Sequence, residues 1–155
     1  MSLEGQTAPD FTLPRDGGGE VTLSKLQPKR VILYFYPRDD TSGCTTEAKG
    51  FGDALSEIEG MNATVLGVSR DSVAKHDKFR DKHDLKVALL SDEDGKVCEA
   101  YDVWKEKKMY GRSSMGIERS TFLVDGAGVV LREWRKVRVP GHVDEVVAAL
   151  KELDG

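Results

Sequence analysis

One thiol, Cys44, closes the segment Pro37-Arg38-Asp39-Asp40-Thr41-Ser42-Gly43-Cys44. An apolar run, Val31-Ile32-Leu33-Tyr34-Phe35-Tyr36, stops at Pro37, and Thr45-Thr46-Glu47 opens a helical pattern. The thiol therefore falls where a buried strand passes into the first turn of a helix. Unpaired backbone N–H groups and the positive end of the helix dipole favour thiolate over thiol there. The chemistry such a group could perform is nucleophilic attack by sulfur.

Cys44, Ala48, Phe51, Leu55 and Ile58 recur at the spacing of one buried helical stripe, so Cys44 faces inward rather than toward bulk water. Position alone leaves two readings open. Free cysteines are commonly inert packing residues, and a helix N-terminus also activates them.

The arrangement of Pro37, Thr41 and Cys44 resembles the peroxidatic-cysteine signature of peroxiredoxins, and most closely that of the bacterioferritin-comigratory, or Q-type, subfamily. The resemblance runs along nearly the whole chain. It includes Ala8-Pro9-Asp10-Phe11, the segment Val31 to Glu47, Gly67-Val68-Ser69-Arg70-Asp71-Ser72, and Gly116-Ile117-Glu118-Arg119-Ser120-Thr121-Phe122-Leu123. One position departs from the pattern: the subfamily usually has proline after the threonine, and here it is Ser42.

The resemblance implies a thiol peroxidase acting on hydrogen peroxide and small alkyl hydroperoxides, with an antioxidant role. Such a reaction needs a thiolate, a peroxide held in line, and fixed donors for the charge that develops on oxygen. Cys44 would be the nucleophile. The Thr41 hydroxyl would face the sulfur and the peroxide, although Thr41 also reads as a simple helix cap. The backbone N–H groups of Gly43 and Cys44 would point into the same pocket. Pro37 would stiffen the loop and exclude water. Arg119, by resemblance, would be the cation that favours the thiolate and binds peroxide; without it, Arg119 reads as an ordinary surface arginine. Glu47 would orient an arginine. Arg38, Asp39 and Asp40 read as a solvated loop without a catalytic role.

The first product would be a sulfenic acid on Cys44. The two positions where the subfamily places a resolving cysteine are Lys49 and Arg80 in this chain, and the only other thiol is Cys98. Cys98 has three open readings: a structural helix residue, an unusual resolver, or a partner in an interchain bond. If it is inert, an external thiol such as thioredoxin, glutaredoxin or glutathione must reduce the sulfenic acid. A competing reading is a thioredoxin-like redox sensor or disulfide-exchange protein without peroxidase turnover. The missing Cys-x-x-Cys spacing argues against disulfide exchange.

Length and composition frame these expectations. A chain of 155 residues with 39% hydrophobic residues is sized for one domain spanning residues 1–155. Net charge is −4 and no basic cluster is interleaved with aromatics, so nucleic acid is not an expected partner. No apolar run approaches the roughly 18 residues of a membrane span, and no signal peptide is legible. Two cysteines without a metal or disulfide spacing fit a reducing, cytoplasmic setting. No cofactor is implied. His76 and His83 share a helix face but are too few ligands for a metal site, and His142 reads as a capping or surface residue. The Q-type resemblance favours a monomer over a dimer.

The elements that must position these residues follow from periodicity. Phe11–Leu13 and Val21–Leu23 flank the turn Asp16-Gly17-Gly18-Gly19-Glu20 as an N-terminal β-hairpin. Strands are expected at Val31–Tyr36, Thr64–Val68 and Val87–Leu90, with helices at Asp71–His83 and Glu93–Tyr101. Ser120–Asp125 and Val129–Trp134 form a second hairpin across Gly126-Ala127-Gly128. Val143, Val146, Val147, Leu150 and Leu153 are the core face of a last helix. Met109–Gly116 reads as a loop, and Lys105-Glu106-Lys107-Lys108 as a solvated basic loop. Strand–helix alternation closing on a hairpin and a helix is the thioredoxin-like α/β pattern: a central mixed β-sheet flanked by helices.

Overall fold

A computed structural model of the chain describes residues 2–154. The N-terminal hairpin is β1 (Thr12–Pro14) and β2 (Glu20–Thr22), followed by a short 3-10 turn at Leu23–Leu26. Then come β3 (Arg30–Phe35), α1 (Ser42–Gly60), β4 (Ala63–Ser69), α2 (Val73–His83), β5 (Ala88–Ser91) and α3 (Lys96–Ala100). The chain ends with β6 (Trp104–Met109), β7 (Arg112–Ile117), β8 (Ser120–Val124), β9 (Val130–Trp134) and α4 (His142–Asp154).

Five strands form the central sheet in the order β5-β4-β3-β8-β9. The β3–β4 and β4–β5 pairs are parallel, and the β3–β8 and β8–β9 pairs are antiparallel. The mixed sheet expected from the strand order is thus present. β3 lies at its centre and is buried from Val31 onward, which is why its sequence runs apolar without alternation. Its side chains still divide by parity. Ile32, Tyr34 and Tyr36 join one core with Cys44, Ala48, Phe51 and Ile58 of α1, Phe79 of α2, and Val146 and Leu150 of α4. Val31, Leu33 and Phe35 join a second core on the other face, with Phe11, Cys98, Tyr101 and Val103. Among the described residues, no helix is long and apolar enough to cross a membrane.

The segments Met109–Gly116 and Lys105–Lys108 are not loops: both lie in an antiparallel hairpin, β6 and β7, paired from Trp104↔Ile117 to Met109↔Arg112. Tyr110 and Gly111 turn it with φ of 54° and 77°, the doubly positive geometry of a tight hairpin turn. Arg112 to Met115 are exposed along β7. A strand with almost nothing to bury carries no apolar alternation to read.

Candidate active site

The site gathers at the C-terminal ends of the parallel strands, where open α/β sheets bind their ligands. β3 ends at Phe35, and the loop through Pro37 delivers Thr41 as the residue preceding α1. The first bond of α1 runs from the Thr45 N–H to the Thr41 carbonyl at 2.9 Å. The N–H groups of Gly43 and Cys44 thus lie in the unpaired first turn, with their positive dipole end at the sulfur. Cys44 is only 1% exposed.

Arg119 arrives from the other side of β3. Phe35 pairs with Ser120 in the antiparallel register, so the residue just before β8 stands beside the C-terminal end of β3. Its guanidinium is a fork with two targets. Nη2 donates to Cys44 Sγ at 3.3 Å, and Nη1 donates to Glu47 Oε1 at 2.7 Å. Glu47 is one helical turn beyond Cys44, which puts both acceptors on the same face of α1. Gly43 leaves room for this approach. A Cβ there would stand 3.2 Å from Arg119 Nη2.

Burial dominates the electrostatics. Glu47 has no exposed side-chain surface, and desolvation raises its pKa to about 7 even though the charge and hydrogen bond of Arg119 pull it down. Its second oxygen, Oε2, and the hydroxyl of fully buried Tyr34 have no hydrogen-bond partner among the described residues. Desolvation likewise holds the Tyr34 phenol well above its usual value, reinforced by the charges of Glu47 and Cys44.

A cleft of about 650 Å³ opens beside the loop, lined by Pro37, Arg38 and Thr41 on one side and by Trp104, Lys107 and Ile117 of the β6–β7 hairpin on the other. The β6–β7 hairpin is therefore a wall of this cleft. Lys107 was not singled out from sequence. Desolvation and the charge of Arg119 lower its pKa, while Cys44 and Glu118 oppose them, so its ammonium is within electrostatic reach of the sulfur.

The structure brings Cys44, Gly43, Glu47 and Arg119 into one contact group, and Pro37 and Thr41 line the neighbouring cleft. The Thr41 hydroxyl donates to the Arg38 carbonyl at 3.1 Å, and its side chain makes no cap bond to the helix. Cys98 is elsewhere. It is fully buried in the core on the opposite face of the sheet from Cys44, and both cysteines are free. Burial, then hydrogen bonding to Asp92, pushes the Cys98 thiol far up. Two readings need correction. Asp39 is not solvated: its side chain is 6% exposed and lies 2.6 Å from His76. Its partner is 37 residues away, which no local pattern reveals. His142 is not a surface residue either. It is 5% exposed, pairs with the Thr121 hydroxyl at 2.8 Å, and packs edge-on against Phe51 and Trp134.

Comparison with known proteins places this geometry. The AhpC/TSA family model matches residues 4–132. A putative peroxiredoxin bcp of Coxiella burnetii is 52% identical over 151 residues, covering 97% of this chain and all of that protein. Peroxiredoxin Bcp of Bacillus subtilis is 50% identical over 154 residues, covering 99% and 98%. Among solved structures, a cysteine-to-serine mutant of Xylella fastidiosa PrxQ superposes with a TM-score of 0.94 at 43% identity, covering 100% of this chain and 98% of that one. The bacterioferritin comigratory protein of Xanthomonas campestris, studied for alkyl peroxide reduction, superposes with a TM-score of 0.89 at 47% identity, covering 94% and 92%.

Proposed function

This chain belongs to the AhpC/TSA family as a peroxiredoxin of the bacterioferritin-comigratory, Q-type group, a thiol-dependent peroxidase with a thioredoxin-like fold, and on that premise we propose that Cys44 is its peroxidatic cysteine. The observation that carries the assignment is the Arg119 fork, with one nitrogen on Cys44 Sγ and the other on Glu47. A guanidinium fixed by a buried carboxyl is a preorganised cation, already in place when charge moves from sulfur to oxygen.

The thiolate of Cys44 attacks the terminal oxygen of ROOH. The S–O bond forms as the O–O bond breaks, giving Cys44 sulfenic acid and RO⁻, which takes a proton to leave as ROH. Arg119 and the unpaired N–H groups of Gly43 and Cys44 stabilise the two oxygens. Pro37 supplies a rigid edge with no N–H donor, and Thr41 supplies a hydroxyl at the cleft mouth. Hydrogen peroxide and small alkyl hydroperoxides are the substrates, and the Xanthomonas relative's alkyl peroxide reduction supports the second class.

Recycling uses an external thiol such as thioredoxin, glutaredoxin or glutathione. R′SH displaces water from the sulfenic acid to give Cys44–S–SR′, and a second thiol releases Cys44 and the disulfide R′SSR′. The support is the sheet that stands between Cys44 and Cys98. The reacting groups Cys44, Glu47 and Arg119 are supplied by one copy of the chain, in keeping with a single-domain enzyme acting as a monomer, and two cysteines without a disulfide spacing fit a reducing, cytoplasmic setting.

Intact mass after treatment with one equivalent of hydrogen peroxide tests the assignment. The expected product with a sulfenic-acid trap is an adduct on Cys44 with Cys98 unmodified. Loss of two hydrogens without an adduct means a Cys44–Cys98 disulfide and overturns the external-thiol scheme. An adduct that persists in Cys44→Ser overturns the peroxidatic role.

A further inference from the structure

The loop between β3 and α1 is held from the side by α2, through a buried polar pair that the reaction scheme does not use. Asp39 Oδ1 accepts from the Tyr36 hydroxyl at 2.6 Å, and Asp39 Oδ2 lies 2.6 Å from His76 Nδ1. The Asp39 N–H donates to Asp71 Oδ2 at 2.8 Å, and that oxygen also accepts from the Ser69 hydroxyl at 2.9 Å. His76 is completely buried, with Nε2 2.9 Å from the Leu90 carbonyl. A carbonyl only accepts, so Nε2 carries a proton, and the carboxylate at Nδ1 calls for a second one. The ring is then an imidazolium between two acceptors. Burial alone would lower its pKa, but the hydrogen bond and charge of Asp39, the Leu90 carbonyl and the charge of Asp71 outweigh burial and hold it above the usual value.

A buried pair of this kind seldom gains stability over an apolar filling, so its contribution is better sought in geometry. The geometry it controls is the turn from Arg38 to Thr41. Asp39 and Asp40 form its middle, Asp40 with φ of 61°, and the Thr41 hydroxyl closes it on the Arg38 carbonyl. Asp40 is tied to the same helix by Lys82 and His83, each at 2.7 Å, but its carboxylate is 43% exposed and such part-solvated contacts are weak. The buried anchor of the turn is Asp39, held by the Tyr36 hydroxyl, by Asp71 and by His76, and His76 is the contact that comes from α2.

We propose that His76 is a positioning residue for the peroxide reaction: acting through Asp39, it fixes the turn Arg38–Thr41 and so sets where Pro37 and the Thr41 hydroxyl meet the peroxide. The inference rests on Cys44 being peroxidatic. It assigns work to a histidine two elements away that touches neither the sulfur nor Arg119 in the contacts described above.

The test compares two rates on Cys44 at one pH: reaction with hydrogen peroxide, which needs the positioned loop, and alkylation by iodoacetamide, which needs only a reachable thiolate. His76→Leu is expected to lose about 100-fold in the peroxide rate, the scale of one misplaced preorganised donor, with alkylation changed by less than about threefold. His76→Gln, which can still donate to one of the two acceptors, should recover part of the loss. If His76→Leu does not fold, Asp39→Asn is read for the same split. Nitrogen NMR of the wild type should show both His76 ring nitrogens protonated at about pH 7. An unchanged peroxide rate, a parallel fall of both rates, or a neutral ring overturns the proposal while Cys44 stays peroxidatic. A wild type that does not react with peroxide at all removes the peroxidatic assignment, and the proposal with it.

Discussion

At the scale of single residues, the chemistry depends on one cation with two simultaneous obligations. Arg119 touches the sulfur with one nitrogen and Glu47 with the other, and only a planar fork can do both. Arg119→Ala should slow the reaction of Cys44 with peroxide by about 10²- to 10³-fold, as removal of a preorganised donor does elsewhere. Arg119→Lys separates charge from geometry. A point-charge ammonium reaches Glu47 or the sulfur but not both, so the lysine variant should still lose on the order of tenfold or more. Stopped-flow measurement of the second-order rate constant checks both, and wild-type activity in the lysine variant would mean that charge alone suffices. Conversely, Cys98→Ser should leave the peroxide rate unchanged, because Cys98 sits in the other core.

At the scale of elements, the site is an intersection of the β3–α1 turn, the residue before β8, and the β6–β7 hairpin. The first is legible in the sequence because burial writes a period. The stripe Cys44, Ala48, Phe51 and Ile58 is buried along α1 as its spacing requires, and β3 reads as a continuous apolar run because both its faces are covered. What failed to read has the opposite cause. The hairpin exposes most of β7 and so has no pattern, and Asp39 and His142 are polar residues whose burial depends on partners remote in sequence. Arg119 was reached by resemblance, not by any local signal. One packing contact between elements gives a direct test. Gly67 of β4 lies under the Tyr34 ring, and a Cβ there would stand 2.7 Å from it. Tyr34 has no room to retreat, since it is fully buried and stacks on Phe51 at 4.9 Å. Gly67→Ala should therefore cost about 1–3 kcal/mol of unfolding free energy by overpacking. Urea denaturation checks it, and a variant as stable as the wild type would show that Tyr34 can move.

At the scale of the whole molecule, the reactive centre sits inside one of two cores, and its burial links the site to global stability. Glu47 is fully covered, and its pKa rises from 4.5 to about 7 on folding. The folded chain thus holds the Glu47 proton more tightly than the unfolded chain. Its contribution to stability is fully present below the unfolded value and is lost as pH rises through about 7. From this group alone, the unfolding free energy of the reduced protein should fall by on the order of 3 kcal/mol between about pH 5 and about pH 8. Glu47→Gln replaces the carboxyl with a neutral amide that can still accept from Arg119, so this part of the pH dependence should disappear. The variant should also react more slowly with peroxide, because Arg119 loses its counter-charge. Urea denaturation at the two pH values, under reducing conditions, decides the point. A slope that persists unchanged in Glu47→Gln would place the titrating group elsewhere and leave Glu47 as an ordinary ionised partner of Arg119.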